Sequence, residues 1–386
     1  MSADSYDPAA HYDRVTEAWG LLLGDELHYG VFLTGDEPLE VATGALTAMM
    51  IEGAELAPGL AVLDVGCGSG APACRLATEH AVTVLGITTS EVGVAAATAR
   101  AEAAGIAGVE FEQRDGTDNG LPDESFDRVW VLESSHLMPD RAALLAECAR
   151  VLRPGGRMVL CDIIRRREVP FLELRDRRDE FAVLRSAYGA ARMDPLEEYA
   201  DLAGRAGLEI DRAVDITAET LPTFGRWQAN LDRHRDRVTE LLGREATSTF
   251  ERSLGILDAF WRDGTLGYGL MAARKPDQTG RVTFPLGASL GAHIHSHDQE
   301  PPAMQSRRTV AQESIRTFLS RAGKDVDAEV ATSLFADGLG LDSLETAELS
   351  AILEDDLGSD PFSEGQLPQT IAEILDFYDD HATVSP

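Results

Sequence analysis

A glycine-rich loop is the first stretch of this chain whose residue types and spacing could do chemistry. It reads VLDVGCGSG at residues 62–70 and lies between a short apolar run, typical of a buried strand, and a helical pattern. Glycines let the backbone approach a ligand closely, and the amides that begin the next helix can hold an anionic group. The loop alone indicates a small-molecule cofactor only weakly, because dinucleotide-binding enzymes use a similar one.

Two features argue against a nicotinamide dinucleotide as that cofactor. The spacing is GxGxG rather than GxGxxG. The second strand ends in GITT at residues 86–89, without an acidic residue for the ribose. Asp64 instead stands before the loop.

A second stretch, GLGLDSLETAEL at residues 338–349, places a serine where a glycine-rich turn meets an acidic, amphipathic helix. Serine is a good N-cap, so one interpretation of Ser343 is structural. Residues 309–382 are mostly helical in pattern and have about the smallest size that folds alone.

Alternating strands and helices must position the glycine loop. Strand patterns separated by helical crossovers predict a parallel sheet covered on both faces. A charged helical segment interrupts them at residues 165–206, two helices occupy about 222–262, and residues 277–308 are typical of an interdomain linker. The predicted strands are 61–66, 81–87, 108–115, 126–134, 156–164, 208–216 and 266–276.

Composition excludes several classes of partner. The net charge of −32 argues against nucleic acid and anionic membranes. Residues 309–386 hold 17 acidic and three basic residues, which indicates either a solvated face or a docking surface for basic partners. There is no signal-peptide pattern and no apolar run as long as a membrane span. We expect a cytoplasmic protein with reduced thiols at Cys67, Cys74, Cys148 and Cys161.

Residues 6–276 resemble the class I S-adenosylmethionine-dependent methyltransferases, specifically bacterial natural-product enzymes that alkylate small molecules. The resemblance implies a seven-stranded, mostly parallel, Rossmann-like sheet with a helical lid at about 165–206, in a domain spanning 1–276. The series of motifs, in order and at these spacings, is highly specific: LHYGVF (27–32), VLDVGCGSG, GITTS (86–90), RDGT (114–117), LPDESFDRVWVLESSHLMPD (121–140), RVLRPGGRMVLCDI (150–163) and LGYGLMAARKP (266–276).

The resemblance also implies which residues bind S-adenosylmethionine. Asp64 and the loop at 66–70 would hold its methionine end, Thr88 its ribose, and Asp115 with Gly116 its adenine amino group. One departure is Gly93, where close relatives often carry Gln. The full set implied for the cofactor is Tyr12, Tyr29, Asp64, Gly66, Gly68, Thr88, Asp115, Gly116 and Glu133.

Methyl transfer from a sulfonium needs an oriented acceptor and, for some acceptors, a base. His136 stands where the family places a candidate base, and Asp162 could orient it or bind the acceptor. The alternatives are a structural histidine and a strand-end carboxylate on a turn. His28 is a weaker third candidate.

Two other groups of side chains have a functional and a structural interpretation. A basic group in the inserted segment is either a solvated helix face or a docking surface for the acidic C-terminal domain or for a phosphate-bearing arm. It comprises Arg165, Arg166, Arg167, Arg175, Arg177, Arg178 and Arg185. His293, His295 and His297 alternate without accompanying acidic or cysteine ligands, so we predict no metal site.

LGLDSLETAEL is very similar to the attachment site of acyl and peptidyl carrier proteins, which are small, acidic, all-α bundles. That resemblance covers about 309–382. It implies that Ser343 carries 4'-phosphopantetheine, delivered by a phosphopantetheinyl transferase, and that Glu345 and Glu348 present acid to basic partners. Synthases or adenylating enzymes would load the carrier.

The favoured hypothesis is methylation, in polyketide or nonribosomal peptide biosynthesis, of an acyl or aminoacyl intermediate tethered to the chain's own carrier domain. Oxygen is slightly favoured over carbon as the acceptor atom. In the alternative, the methyltransferase acts on a free small molecule and the carrier is a docking and transport module for partner synthases. A third hypothesis is that the cofactor pocket has lost methyl transfer or serves other chemistry.

Overall fold

The computed structural model describes residues 18–24, 26–277, 307–326, 328–335, 338–341, 343–362 and 368–380. They fall into two compact units. The larger unit holds the described residues of 18–168 and 182–277, and the smaller unit holds 169–181 and those of 307–380.

The larger unit is built on one seven-stranded sheet with the strand order β3-β2-β1-β4-β5-β7-β6. Only the pairs that involve β7 are antiparallel. The prediction of a seven-stranded, mostly parallel sheet is therefore confirmed. The strands are β1 Ala61–Val65, β2 Thr83–Thr88, β3 Val109–Gln113, β4 Phe126–Leu132, β5 Leu152–Arg165, β6 Glu209–Asp215 and β7 Leu266–Arg274.

Helices connect the strands, and three of them occupy the predicted insertion between β5 and β6. A backbone break at Gly243, with φ 82° and ψ 163°, divides the long α9 into the two helices that the sequence predicts. The helices up to β7 are α1 Leu39–Ala54, α2 Ala71–His80, α3 Glu91–Ala104, α4 Arg141–Val151, α5 Phe171–Asp176, α6 Arg178–Tyr188, α7 Leu196–Arg205, α8 Thr217–Thr220 and α9 Thr223–Arg262.

Apolar strand residues form the core of the larger unit. Val129, Val131, Leu160 and Met271 are fully buried, and all but the last residue of β7 are buried. Central strands of this kind are apolar on both faces because helices cover both. Parallel packing then brings the carboxyl ends of β1, β2, β4 and β5 to one edge of the sheet, where ligands bind in open α/β sheets.

The smaller unit has a hydrophobic core of its own. Its C-terminal helices are α10 Arg307–Arg321, α11 Ser343–Leu357 and α12 Ile371–Asp380, and helix α5 belongs to it as well. Phe318, Leu353, Ile374 and Tyr378 are buried together in that core. A helical C-terminal region was predicted, and its description as a carrier bundle stays a prediction.

Several sequence predictions fall outside the described residues. These are the role of Tyr12, the three alternating histidines and most of the linker predicted at residues 277–308, of which only Asp277, Arg307 and Arg308 are described. Among the residues that the structure does describe, there is no group of three side chains able to hold a metal ion. No helix in the described part of the chain is long and apolar enough to cross a membrane.

Candidate functional site

Asp64 lies on β1, one residue before the glycine loop begins to turn. Its side chain is buried, and its carboxylate forms no hydrogen bond with any described residue; atom Oδ2 is fully enclosed without a partner. Burial raises the pKa of Asp64 from an ordinary 3.8 to about 7. An unpaired carboxylate in such a place suits a cationic ligand group, which would restore its ionised form.

Two positions of the loop, 66 and 68, are glycine for different structural reasons. Gly66 has a φ of 82°, and a Cβ there would lie 2.2 Å from the Cβ of Ser134, so this position has no room for a side chain. Gly68 has a φ of 51°, but a Cβ there would meet nothing within 4 Å. Gly68 therefore borders space that no described residue fills, as a loop that receives a ligand requires.

Thr88, Asp115 and Gly116 follow along the same edge of the sheet. Thr88 ends β2, and its Oγ1 accepts a hydrogen bond from the amide of Ser90 at 3.3 Å. Asp115 Oδ1 accepts from the amide and the hydroxyl of Thr117 at 2.8 and 2.7 Å, and no hydrogen bond joins Oδ2 to a described residue. A Cβ at Gly116 would lie 2.7 Å from Val65 Cγ1, so Gly116 allows close packing on β1.

Gly93, the departure from the family pattern, packs tightly against the loop. A Cβ at this position would lie 3.3 Å from the carbonyl oxygen of Gly68 and 3.2 Å from the Cβ of Ser90. The amide of Gly93 donates to Ser90 Oγ, which caps helix α3. Glycine thus lets α3 begin directly against the cofactor loop.

Glu133 follows β4 with a φ of 46°, an uncommon conformation for a residue with a side chain. Its Oε1 accepts hydrogen bonds from the amide of Tyr29, at 2.8 Å, and from the hydroxyl of Tyr268. The Tyr29 ring is buried and stacks on Trp261 with ring centroids 5.3 Å apart. Tyr29 therefore contacts Glu133, at this edge of the sheet, through its backbone amide, while its ring packs in an aromatic cluster.

His28 has no free ring nitrogen. Its Nδ1 is 2.7 Å from the carbonyl oxygen of Tyr29, and its Nε2 is 3.0 Å from Glu26 Oε2. Burial opposes the charged form, but the hydrogen bond to Glu26 and the charge of Glu133 outweigh it, and the pKa of His28 is raised. His28 thus holds its segment in place and is not available as a base.

The structure brings His136 and Asp162 together. His136 lies in a short 3₁₀ turn, Ser135–Leu137, after β4, and Asp162 lies on the neighbouring β5. His136 Nδ1 and Asp162 Oδ1 are 2.6 Å apart, and both side chains are buried. Burial alone would lower the pKa of His136, but the charge and hydrogen bond of Asp162 raise it; the His136 charge likewise lowers the pKa of Asp162 against burial.

This pairing fixes what His136 can do. Asp162 accepts the Nδ1 proton, and Nε2 forms no hydrogen bond with any described residue. A neutral imidazole in this tautomer has a lone pair on Nε2, which is what a general base needs.

Sequence reasoning missed three polar residues behind this pair. Ser135 donates to Asp162 Oδ2, its Oγ lies 2.9 Å from the hydroxyl of Tyr199, and Arg141 Nε lies 3.2 Å from that hydroxyl. Ser135 could have been noticed beside His136. Tyr199 has no sequence signal, because it lies on a helix far along the chain.

The residues on the cofactor side fit S-adenosylmethionine. Its methionine end carries a cationic ammonium group, for which Asp64 supplies a buried carboxylate without another partner. The open space at Gly68 leaves room for it, and the unoccupied Oδ2 of Asp115 can accept a hydrogen bond from an amino group.

Known proteins share both the sequence and the fold of the larger unit. The family described as "Methyltransferase domain" matches residues 63–160. The 27-O-demethylrifamycin SV methyltransferase of Amycolatopsis mediterranei (strain S699) is 38% identical over 267 residues, which are 69% of this chain and 96% of that protein. Methyltransferase GfsG of Streptomyces halstedii is 32% identical over 279 residues, 72% of this chain and 96% of that protein.

Among solved structures, the [4+2]-cyclase SpnF is 26% identical with a TM-score of 0.61, over 72% of this chain and 98% of that one. Nearly the whole length of each relative is thus matched by about 70% of this chain. With 38% identity over nearly all of a known methyltransferase, the chain belongs to the S-adenosylmethionine-dependent methyltransferases and is an enzyme of that family.

Proposed function

We propose that this enzyme methylates a hydroxyl oxygen of a small molecule in natural-product biosynthesis. The observation that carries the proposal is the His136–Asp162 pair, in which no described residue bonds to Nε2 of a buried imidazole at the edge of the sheet where the glycine loop lies. A hydroxyl is a poor nucleophile until its proton is removed, so an oxygen acceptor makes use of such a base. The name of the 38% identical relative also refers to an O-linked position.

The chain's own residues have separate tasks in this proposal. S-adenosylmethionine supplies an electrophilic methyl group when bound. Asp64 and the loop around Gly68 hold its methionine end. His136 Nε2 takes the proton of the acceptor hydroxyl, and Asp162 stabilises the resulting imidazolium. Orientation of the acceptor adds to the rate, and the base adds roughly 10²–10⁴-fold.

The test is methyl transfer to a panel of hydroxylated acyl and peptidyl compounds. With S-adenosylmethionine labelled with ¹³C in its methyl group, carbon NMR of the product separates an O-methyl from a C-methyl group. His136→Asn should lower kcat at least a hundredfold with little change in cofactor affinity. His80→Asn, at the end of helix α2, is the control, because His80 precedes β2 at the opposite edge of the sheet. A C-methyl product, or full activity of His136→Asn, would refute the proposal.

We further propose that residues 309–382 form a carrier domain with 4'-phosphopantetheine on Ser343, and that its load is the acceptor. Helix α11 begins at Ser343, as in the attachment motif that LGLDSLETAEL resembles. The smaller unit has an independent core. The relatives match almost their whole length with about 70% of this chain, so they offer no counterpart for so large a remainder.

Charge pairs within the smaller unit bear on how the carrier would dock. Glu345 pairs with Lys324 at 3.1 Å and Glu348 with Arg321 at 2.6 Å, so both acids already have basic partners. Glu354 of α11 pairs with Arg175 of α5 at 3.1 Å. Helix α5 comes from the inserted segment but belongs to the smaller unit, so this pair lies within that unit. One partly exposed pair contributes at most about 1 kcal/mol. Of the other arginines in that segment, Arg166 pairs with Asp215 and Arg177 with Glu173.

Intact mass spectrometry after incubation with coenzyme A and a phosphopantetheinyl transferase tests the attachment. We expect the mass of one phosphopantetheine on the wild type and on Ser320→Ala, an exposed serine of α10, and none on Ser343→Ala. An unmodified wild type would refute the carrier assignment.

Turnover decides between tethered and free acceptors. A short tether raises the effective acceptor concentration to roughly the millimolar range. Methylation of the loaded chain should therefore exceed that of the same acceptor in solution. Equal rates would favour the alternative, in which the carrier serves partner synthases for docking and transport.

A further inference from the structure

The carboxylate of Asp162 has all of its accepting positions filled. Oδ1 accepts from His136 Nδ1 at 2.6 Å and from the amide of Ile163 at 2.7 Å. Oδ2 accepts from the hydroxyl of Ser135 and from the amide of His136 at 3.1 Å. Four donors therefore share the charge of Asp162, and only one of them is the His136 ring.

The donor and the acceptor can be assigned in each hydrogen bond that links Ser135, Tyr199 and Arg141. Ser135 gives its proton to Asp162, so its oxygen must accept from the hydroxyl of Tyr199, 2.9 Å away. The Tyr199 oxygen in turn accepts from Arg141 Nε at 3.2 Å, because a guanidinium can only donate. The result is a one-way chain that runs from Arg141 through Tyr199 and Ser135 to Asp162.

The chain is buried and well anchored. Tyr199 and Ser135 are fully buried, and Arg141 is 3% exposed. Arg141 is held by Asp194 at 3.4 Å and donates to the carbonyl oxygens of His136 and Arg192. Buried polar groups of this kind are costly unless paired, and a chain of hydrogen bonds polarises its members in one direction.

We propose that Arg141, Tyr199 and Ser135 are positioning residues for the His136–Asp162 pair. Through the hydroxyl of Ser135 they supply a donor that competes with His136 for the charge of Asp162, and they hold that carboxylate in the position in which it receives Nδ1. The assignment of His136 as the base rests on the proposed function. The existence of the positioning chain does not.

The charged and titratable groups around the His136–Asp162 pair come from several elements. Asp162 lies on β5, Glu133 follows β4, Arg141 lies on α4 and Tyr199 on α7, and the hydroxyls of Tyr29 and of Tyr268 on β7 also interact with Asp162. Asp162 and Glu133 raise the pKa of His136, whereas Arg141 lowers it. A neutral donor to Asp162 stabilises the ionised carboxylate most when His136 is neutral, so it lowers the pKa of His136 as well. Loss of Ser135 or of Tyr199 should therefore raise that pKa.

Nitrogen NMR of the full chain labelled with ¹⁵N-histidine measures this directly, without an acceptor or methyl transfer. His136→Asn assigns the resonance. We expect Ser135→Ala and Tyr199→Phe each to raise the pKa of His136 by about half to one pH unit, the size of one neutral hydrogen bond. Because Tyr199 acts through Ser135, adding Tyr199→Phe to Ser135→Ala should change the pKa no further.

Tyr378→Phe is the matched control, since it also removes a buried tyrosine hydroxyl, which donates a hydrogen bond to the carbonyl oxygen of Ser359. It should leave the His136 resonance unchanged. Additive effects of Ser135→Ala and Tyr199→Phe, or a change below about 0.2 pH unit in Tyr199→Phe, would overturn the proposal. If the coupling is found but His136→Asn retains full methyl transfer, the positioning chain stands and the proposed function fails.

Discussion

Asp64→Asn should make the ligand-free enzyme more stable while weakening cofactor binding. Asp64 is buried, no described residue forms a hydrogen bond with it, and its pKa is about 7 instead of 3.8. At about 1.36 kcal/mol per pH unit, that difference corresponds to about 4 kcal/mol of destabilisation once the folded protein must ionise the group. The amide of Asn is also buried without a partner, which costs about 1–3 kcal/mol. We therefore expect a net gain of about 1–3 kcal/mol at pH 8.

The pH dependence of the stability difference shows whether the raised pKa of Asp64 causes it. A carboxyl whose folded pKa is raised destabilises the protein progressively as pH rises from the unfolded value, 3.8, to about 7, and by a constant amount above it. The advantage of Asp64→Asn should therefore be largest at pH 8 and should shrink towards pH 5. Asp127→Asn is the control with opposite sign, because the amide of Ala61, at 2.9 Å, and Arg153, at 2.8 Å, lower the pKa of Asp127 against partial burial.

Urea unfolding followed by tryptophan fluorescence is the assay, since all four tryptophans, at positions 19, 130, 227 and 261, lie in the larger unit. Calorimetric titration with S-adenosylmethionine gives the affinity. Loss of a charged hydrogen bond predicts binding about tenfold to a hundredfold weaker. If Asp64→Asn is less stable than the wild type at pH 8, or binds the cofactor as tightly, the cofactor-side reasoning is wrong.

Three further predictions concern the glycine loop, the His136–Asp162 pair and His28. Gly68→Ala should cost only about 1 kcal/mol of stability but at least tenfold in cofactor affinity, whereas Gly66→Ala should destabilise by about 1–3 kcal/mol through overpacking. Asp162→Asn should lower kcat by about a hundredfold or more and move the acidic limb of the rate profile to lower pH, because His136 loses the charge that raises its pKa. His28→Gln should lose more stability at pH 6 than at pH 9. The raised pKa of His28 contributes stability that is complete below 6.5 and disappears as pH rises through the folded value.

Each of these has a measurement and a contrary result. Calorimetry and urea unfolding compare the two glycine variants, and equal loss of affinity with equal stability would contradict the different roles of Gly66 and Gly68. Initial rates across pH test Asp162→Asn, and an unmoved limb would show that Asp162 does not act on His136. Thermal unfolding at the two pH values tests His28→Gln, for which a constant difference is the contrary outcome.

The strands and the order of candidate residues along the sheet edge could be predicted from the sequence. The predicted strands that contain or adjoin Asp64, Thr88, Glu133 and Asp162 end within two residues of the observed strands. Parallel strands joined by helices bring their carboxyl ends together, so local patterns are sufficient for that conclusion. The glycine loop could also be located from the sequence, because its positive φ values favour glycine at those positions whatever the rest of the fold.

The protonation states and partners could not be predicted in the same way. His28 and His136 were both candidate bases, and only the tertiary structure decided that His28 is engaged at both nitrogens while no described residue bonds to Nε2 of His136. Likewise, no local pattern connects Tyr199 with Ser135 or leaves Asp64 without a partner. The sequence by itself determined which strands form and which side chains reach their common edge. Packing across strands and helices decided which of those side chains are buried, paired or free, because desolvation and hydrogen bonding depend on distances that only the folded chain sets.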